Sequence, residues 1–90
     1  MVRFPMNCNT SGIEKVMLKL HKKDPALFRA VQKKVNQIAE LDRKAIDHFK
    51  NLRGPLKEYK RVHIGGFVLL FKAEGDIIIF DRLLPHGEAY

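Results

Sequence analysis

The spacing of apolar residues changes twice along this chain, and each change predicts a different kind of element. Ile13, Val16, Met17 and Leu20 recur at intervals of three and four, which predicts an amphipathic helix from about Gly12 to Lys22. Ser11, with Glu14 three residues on, has the form of a capping box at its start. Asp24-Pro25 opens a second helix, with Asp as N-cap and Pro in the first turn. Its apolar stripe is Leu27, Phe28, Val31, Val35, Ile38 and Leu41, and Lys33 and Lys34 fall off that stripe. The break between the helices is so short that they form an antiparallel hairpin.

The helical period is lost in DRKAIDHFKNLRGPL, which contains Gly54-Pro55 and reads as connection with at most one helical turn. From Tyr59 the period is two: Val62 and Ile64 alternate with Arg61 and His63. Phe67 to Phe71 is continuously apolar, Glu74-Gly75-Asp76 signals a turn, and Ile77 to Phe80 is mostly β-branched. These segments predict a three-stranded antiparallel meander. VRFPMNC near the start is a candidate short strand, which Pro5 confines to an edge or to its own first residues. The fold class is therefore α+β, an N-terminal helical hairpin packed on one face of a small antiparallel sheet.

A two-residue turn at Gly65-Gly66 opposes Ile64 to Phe67 and Val62 to Leu69. Those four side chains then share the helix-covered face. Arg61 and His63 point the other way, opposite Leu70 and Val68, onto a face expected to be solvated and positive. Arg82 reaches that face if the Glu74-Gly75-Asp76 turn has three residues or the strand carries a bulge. A two-residue Glu74-Gly75 turn would put its charge among the core residues, which is costly, so the longer turn is expected.

Ninety residues, 46% of them hydrophobic and 30% charged, suit one small globular domain spanning residues 1–90 with one modest core. No apolar run approaches the length of a membrane span, and the N-terminus lacks the pattern of a signal peptide. The single cysteine, Cys8, excludes an internal disulfide and suits a reducing, cytoplasmic setting. The histidines and Cys8 show no pair at the usual metal-ligand spacing, so neither a metal nor a cofactor is expected. Seventeen Lys and Arg against ten Asp and Glu give a net charge of +7, which favours polyanions or an acidic protein partner. The basic residues gather at Lys22-Lys23, at Lys33-Lys34 and through KNLRGPLKEYKR.

The ordered features of the C-terminal half resemble the RelE/ParE toxins of type II toxin–antitoxin systems, most closely the YafQ-like and archaeal RelE-like branch. They are a histidine (His48), L-x-G (Leu52 to Gly54), YKRVHIGGFVLLF, a turn, and IIIFDRLLPHGEAY, with its arginine, its histidine four residues later and a closing aromatic. The resemblance covers nearly the whole chain. It implies an mRNA endoribonuclease that works without a metal, usually at the ribosome, and is held inactive by a cognate antitoxin. The positions that match the family's active site are His48, His63, Arg82 and His86, with Tyr90 as the closing aromatic. Phe49-Lys50-Asn51 intervene between His48 and Leu52.

The chemistry fits these residue types. RNA brings its own nucleophile, the 2′-OH, so cleavage needs a base, an acid and positive charge for the phosphorane. Histidines supply either proton role near neutral pH. Arginines pair with phosphoryl oxygens. In this reading His63 and His86 are the acid/base pair, in either order, and Arg82 and Arg61 stabilise the phosphorane. Tyr90 stacks on or orients a base, and Lys50, Arg53, Lys57 and Lys60 contact phosphates. Arg82 also has Asp81 and Glu88 nearby as ion-pair partners, and His21 in KLHKK reads as a solvated helix residue.

The chain departs from the family pattern in three places. The hairpin turn is Gly65-Gly66 where the YafQ-like branch often has an aspartate. Val68 stands where RelE has an arginine, and Gly87 stands where relatives often carry a basic residue. Two other readings therefore stay open: a ParE-like toxin that binds a protein target such as gyrase, and an RNA- or ribosome-binding homologue of weak activity.

Overall fold

The computed structural model describes residues 8–41, 43–49, 51, 52, 54 and 57–88. The elements are strand β1 (Cys8–Asn9), a 3-10 turn (Ser11–Ile13), helices α1 (Glu14–Lys23), α2 (Pro25–Ala39) and α3 (Arg43–Asp47), strands β2 (Lys60–Ile64), β3 (Phe67–Glu74) and β4 (Ile77–Pro85), and a closing 3-10 turn (His86–Glu88). The four strands form one sheet in the order β1-β4-β3-β2.

α1 and α2 are joined by Asp24 alone. Its backbone N–H donates to the Leu20 carbonyl at 2.8 Å and its side chain accepts from the Leu27 N–H at 3.1 Å, so one residue closes one helix and opens the next. The other predicted cap is different. The Ser11 hydroxyl and N–H both donate to Asn9 Oδ1, at 2.8 and 3.0 Å, and no side chain caps α1. The capping box does not form because Ser11 lies in a 3-10 turn held by the preceding asparagine.

The predicted helix stripes are buried. Ile13, Met17, Leu20, Phe28, Val31, Val35 and Ile38 meet Ile64, Leu69, Phe71, Ile78, Phe80 and Leu83 from the inner sheet face. Leu41, assigned to that stripe, is partly exposed beyond the end of α2. Within the connection, α3 is the single helical turn expected, and Ile46 on it reaches the main core.

The sheet differs from the expected antiparallel one at its edge: β1 pairs with β4 in parallel, Cys8 against Ile78 and Asn9 against Ile79, so the sheet is mixed. The first hairpin has the predicted register, Ile64 against Phe67 and Val62 against Leu69. Its tight turn is possible because Gly65 takes φ +58°. The second hairpin reaches its register by another route. Glu74 opposes Ile77, so the turn is the two-residue Gly75-Asp76 rather than a longer one. A bulge further along supplies the change of phase: Phe71 opposes Phe80 but Leu70 opposes Arg82, leaving Asp81 as the extra residue.

Gly12 explains how the N-terminal turn sits on this bulge. A Cβ there would overlap the Asp81 carbonyl and lie 3.0 Å from the Phe80 carbonyl oxygen. Only a residue with no side chain lets the turn approach β4 so closely.

Candidate active site

The bulge decides where Arg82 points. It puts Arg61, Leu70 and Arg82 in one cross-strand row on the outer face, next to the row of His63, Val68 and Leu84. Arg82 is half exposed, and its Nε donates to Asp81 Oδ2 at 2.7 Å. The bulge thus delivers a carboxylate together with the arginine. Of the two acids near Arg82, Asp81 is the partner the structure describes. Arg61 is half-buried on β2.

His63 lies near the end of edge strand β2, and His86 follows β4. The His86 N–H donates to the Gly66 carbonyl at 2.8 Å, which folds the end of β4 back onto the first hairpin turn. The two imidazoles then meet, with ring centroids 5.0 Å apart and planes tilted by 38°. Both histidines are exposed. The histidine pair and the two arginines therefore occupy neighbouring rows of the same face.

The other candidates are placed differently. His48 is exposed just after α3, its N–H bonded to the Ala45 carbonyl, and no ring contact joins it to the pair among the described residues. Lys57 is exposed. Lys60 does not face solvent as expected. It lies on the inner side of β2 at 8% exposure, and its ammonium donates to Asn51 Oδ1 at 3.0 Å and to the Phe49 carbonyl at 3.4 Å. Period two explains this, because Lys60 shares its parity with Val62 and Ile64. Lys50, Arg53 and Tyr90 lie outside the described residues. His21 is exposed, but it touches Phe28 edge-on at 4.8 Å.

The outer face is not bare and positive throughout. Val68 and Leu70, on the middle strand, are 0% and 1% exposed and cluster with Leu52, Tyr59 and Leu84. Asn51 bridges to Lys60 and the Leu52 N–H donates to the Tyr59 carbonyl, so the connection before β2 folds over this part of the sheet. The sequence held two signals for this surface. Val68 and Leu70 are apolar on the face assigned to solvent, and Ile78, Phe80 and Leu83 slip from a period of two at Asp81-Arg82.

No family model matches the chain. It is 40% identical over 82 residues to a Methanocaldococcus jannaschii protein provisionally named toxin RelE4, covering 88% of this chain and 83% of that one. The chain belongs to the RelE toxin family. As a RelE-like toxin it falls among the toxins of toxin–antitoxin systems, which implies an antitoxin partner. Its fold is similar to that of a YafQ point variant from E. coli, with a TM-score of 0.61 at 19% identity, covering 96% of this chain and 99% of that one. It is equally similar to the solution structure of the Helicobacter pylori protein HP0894, with a TM-score of 0.61 at 21% identity, covering 96% and 100%. Among the described residues of this RelE-family toxin, no helix is long and apolar enough to cross a membrane.

Proposed function

We propose that this RelE-family toxin is an mRNA endoribonuclease of the cytoplasm that acts on ribosome-bound message without a metal. The observation that carries the reading is the contact of His63 with His86, 5.0 Å between ring centroids, on the face that also holds Arg61 and Arg82. One imidazole accepts the proton of the 2′-OH as the 2′ oxygen bonds to phosphorus. The other donates a proton to the 5′ oxygen as the P–O5′ bond breaks, leaving a 2′,3′-cyclic phosphate and a 5′-hydroxyl. Arg82, its Nε held by Asp81, turns its remaining donors to the phosphorane oxygens together with Arg61. His48 is a third candidate proton carrier, Tyr90 a stacking residue, and Lys50, Arg53 and Lys57 are phosphate contacts.

The test uses purified toxin, translating ribosomes and mapping of mRNA 5′ ends. Codon-phased cuts that disappear in His86→Ala and in His63→Ala support the reading. Intact mRNA with inhibited supercoiling by gyrase would replace it with a ParE-like mode of action. Ribosome binding with neither effect would mark an RNA-binding homologue without cleavage.

A further inference from the structure

We propose that Lys60 and Asn51 are positioning residues for RNA: together they clamp both ends of the connection before β2 and so fix where His48 and Lys57 meet the substrate. The roles of His48 and Lys57 rest on the nuclease reading above; the clamp itself does not.

The clamp stands where the chain passes from one face of the sheet to the other. Phe49 packs on the inner core, its ring meeting Phe71 edge-on with centroids 5.2 Å apart. Leu52, three residues on, belongs to the outer cluster with Val68 and Leu70. Between them the chain rounds the edge strand, where Asn51 makes an antiparallel bridge to Lys60. Lys60 Nζ donates to the Phe49 carbonyl at 3.4 Å and to Asn51 Oδ1 at 3.0 Å. Asn51 Nδ2 donates in turn to the Lys57 carbonyl at 2.8 Å, and the Leu52 N–H donates to the Tyr59 carbonyl at 3.0 Å. One ammonium and one amide thus tie the start of the connection, its end and β2 together.

Packing alone does not account for a lysine here. Lys60 is buried on the side of β2 that carries Val62 and Ile64, and an apolar residue there would avoid the cost of desolvating an ammonium. Among the described residues no carboxylate pairs with it, and its partners are two neutral oxygens. What the ammonium supplies is direction: hydrogen bonds to fixed oxygens give the segment one seat on the strand, where apolar contact would allow several. His48 immediately precedes the residue whose carbonyl Lys60 holds, and Lys57 is the residue whose carbonyl Asn51 holds. Both His48 and Lys57 are exposed, so RNA reaches their side chains while the backbone beside them stays anchored. A segment ordered in advance loses less freedom when RNA binds, and a proton carrier held in place keeps more of its rate.

Amide hydrogen exchange followed by NMR, and mRNA cleavage on translating ribosomes, test this in two variants under conditions where each is fully folded. Lys60→Met removes both donations and keeps the length of the side chain. Asn51→Asp keeps an acceptor for the ammonium but loses the donation to Lys57. In Lys60→Met, exchange of the Leu52 and Lys57 amides should accelerate about tenfold or more beyond that of Leu69 in the middle of the sheet, and kcat should fall about tenfold. In Asn51→Asp, Leu52 should keep its protection while Lys57 loses it, and KM should rise about threefold with kcat near that of the parent. A lysine that only stabilises the fold would leave kcat per folded molecule unchanged. Amides that accelerate alike in Lys60→Met, or not at all, overturn the clamp. Local acceleration with kcat and KM both unchanged overturns the positioning role. Local acceleration in a protein whose parent cleaves no mRNA leaves the clamp standing and removes the nuclease reading, and the positioning role with it.

Discussion

Replacing Gly12 with alanine adds one methyl group at the point where the N-terminal turn touches the bulge of β4. The new Cβ would collide with the Asp81 carbonyl, 2.9 Å from its carbon, and would lie 3.0 Å from the Phe80 carbonyl oxygen. These are backbone atoms, so no side chain can rotate away. Neither partner moves easily. β4 is hydrogen-bonded between β1 and β3, and the turn is tied by Ile13 N–H to the Thr10 carbonyl and by Ser11 to Asn9. Overpacking of this kind costs about 1–3 kcal/mol, and alanine's better local propensity returns less than about 1 kcal/mol. For a domain of this size a net loss of 1 kcal/mol lowers Tm by about 4–8 °C. Urea and thermal unfolding followed by circular dichroism should therefore show Gly12→Ala destabilised by about 1–3 kcal/mol. Gly87→Ala, where an added Cβ meets nothing within 4 Å, should change stability by less than about 0.5 kcal/mol. A Gly12→Ala protein as stable as the parent would refute the close approach, and with it the account of how the bulge is held.

The other predictions concern the turn, the cations, the ion pair and the thiol. Gly65→Ala forces a side chain into φ +58° with Leu27 Cδ1 at 3.3 Å and should cost about 1–2 kcal/mol in chemical denaturation. Lys57→Ala should lower the salt dependence of RNA binding by about one charge. Lys60→Ala, which removes a buried ammonium from Asn51 and Phe49, should instead lower stability by about 1–3 kcal/mol and leave the salt slope in place; the opposite assignment of effects would overturn the placement of Lys60. Asp81→Asn should change stability by less than about 1 kcal/mol, because the Asp81–Arg82 pair is largely at the surface, while cleavage of mRNA by the variant falls; unchanged cleavage would remove Asp81 from the orientation of Arg82. Burial pushes the Cys8 thiol pKa up, so at mildly alkaline pH the folded protein should react with iodoacetamide more slowly than the urea-unfolded chain. A raised pKa means that the folded state holds this proton longer, so the stability contributed by Cys8 is present below the ordinary thiol value and declines as pH rises through it. Equal alkylation rates in the two states would refute the burial.

Features that depend on neighbours along the chain can be read directly from the order of residues. Asp24-Pro25 sets the start of α2 because a carboxylate three residues before an N–H, followed by a ring that cannot donate, acts locally. Gly65-Gly66 sets the register of β2 on β3 because a two-residue turn needs a positive φ and leaves no slack. The helix stripes follow from period alone, and so does the placement of Lys60 on the inner side of its strand. Features that join distant segments emerge only in the folded chain. The parallel pairing of β1 with β4 needs the intervening helical hairpin to bring Cys8 beside Ile78. The bulge at Asp81 is fixed where β4 must satisfy both its ladder with β3 and its contact with Gly12. Leu52 and Tyr59 cover Val68 and Leu70 because the connection folds back over the outer face. The contact of His63 with His86 arises because the chain after β4 bonds to the carbonyl of Gly66. Each of these joins residues whose separation in sequence carries no period, and only burial and hydrogen-bond satisfaction in the folded chain select among the arrangements that local preference allows.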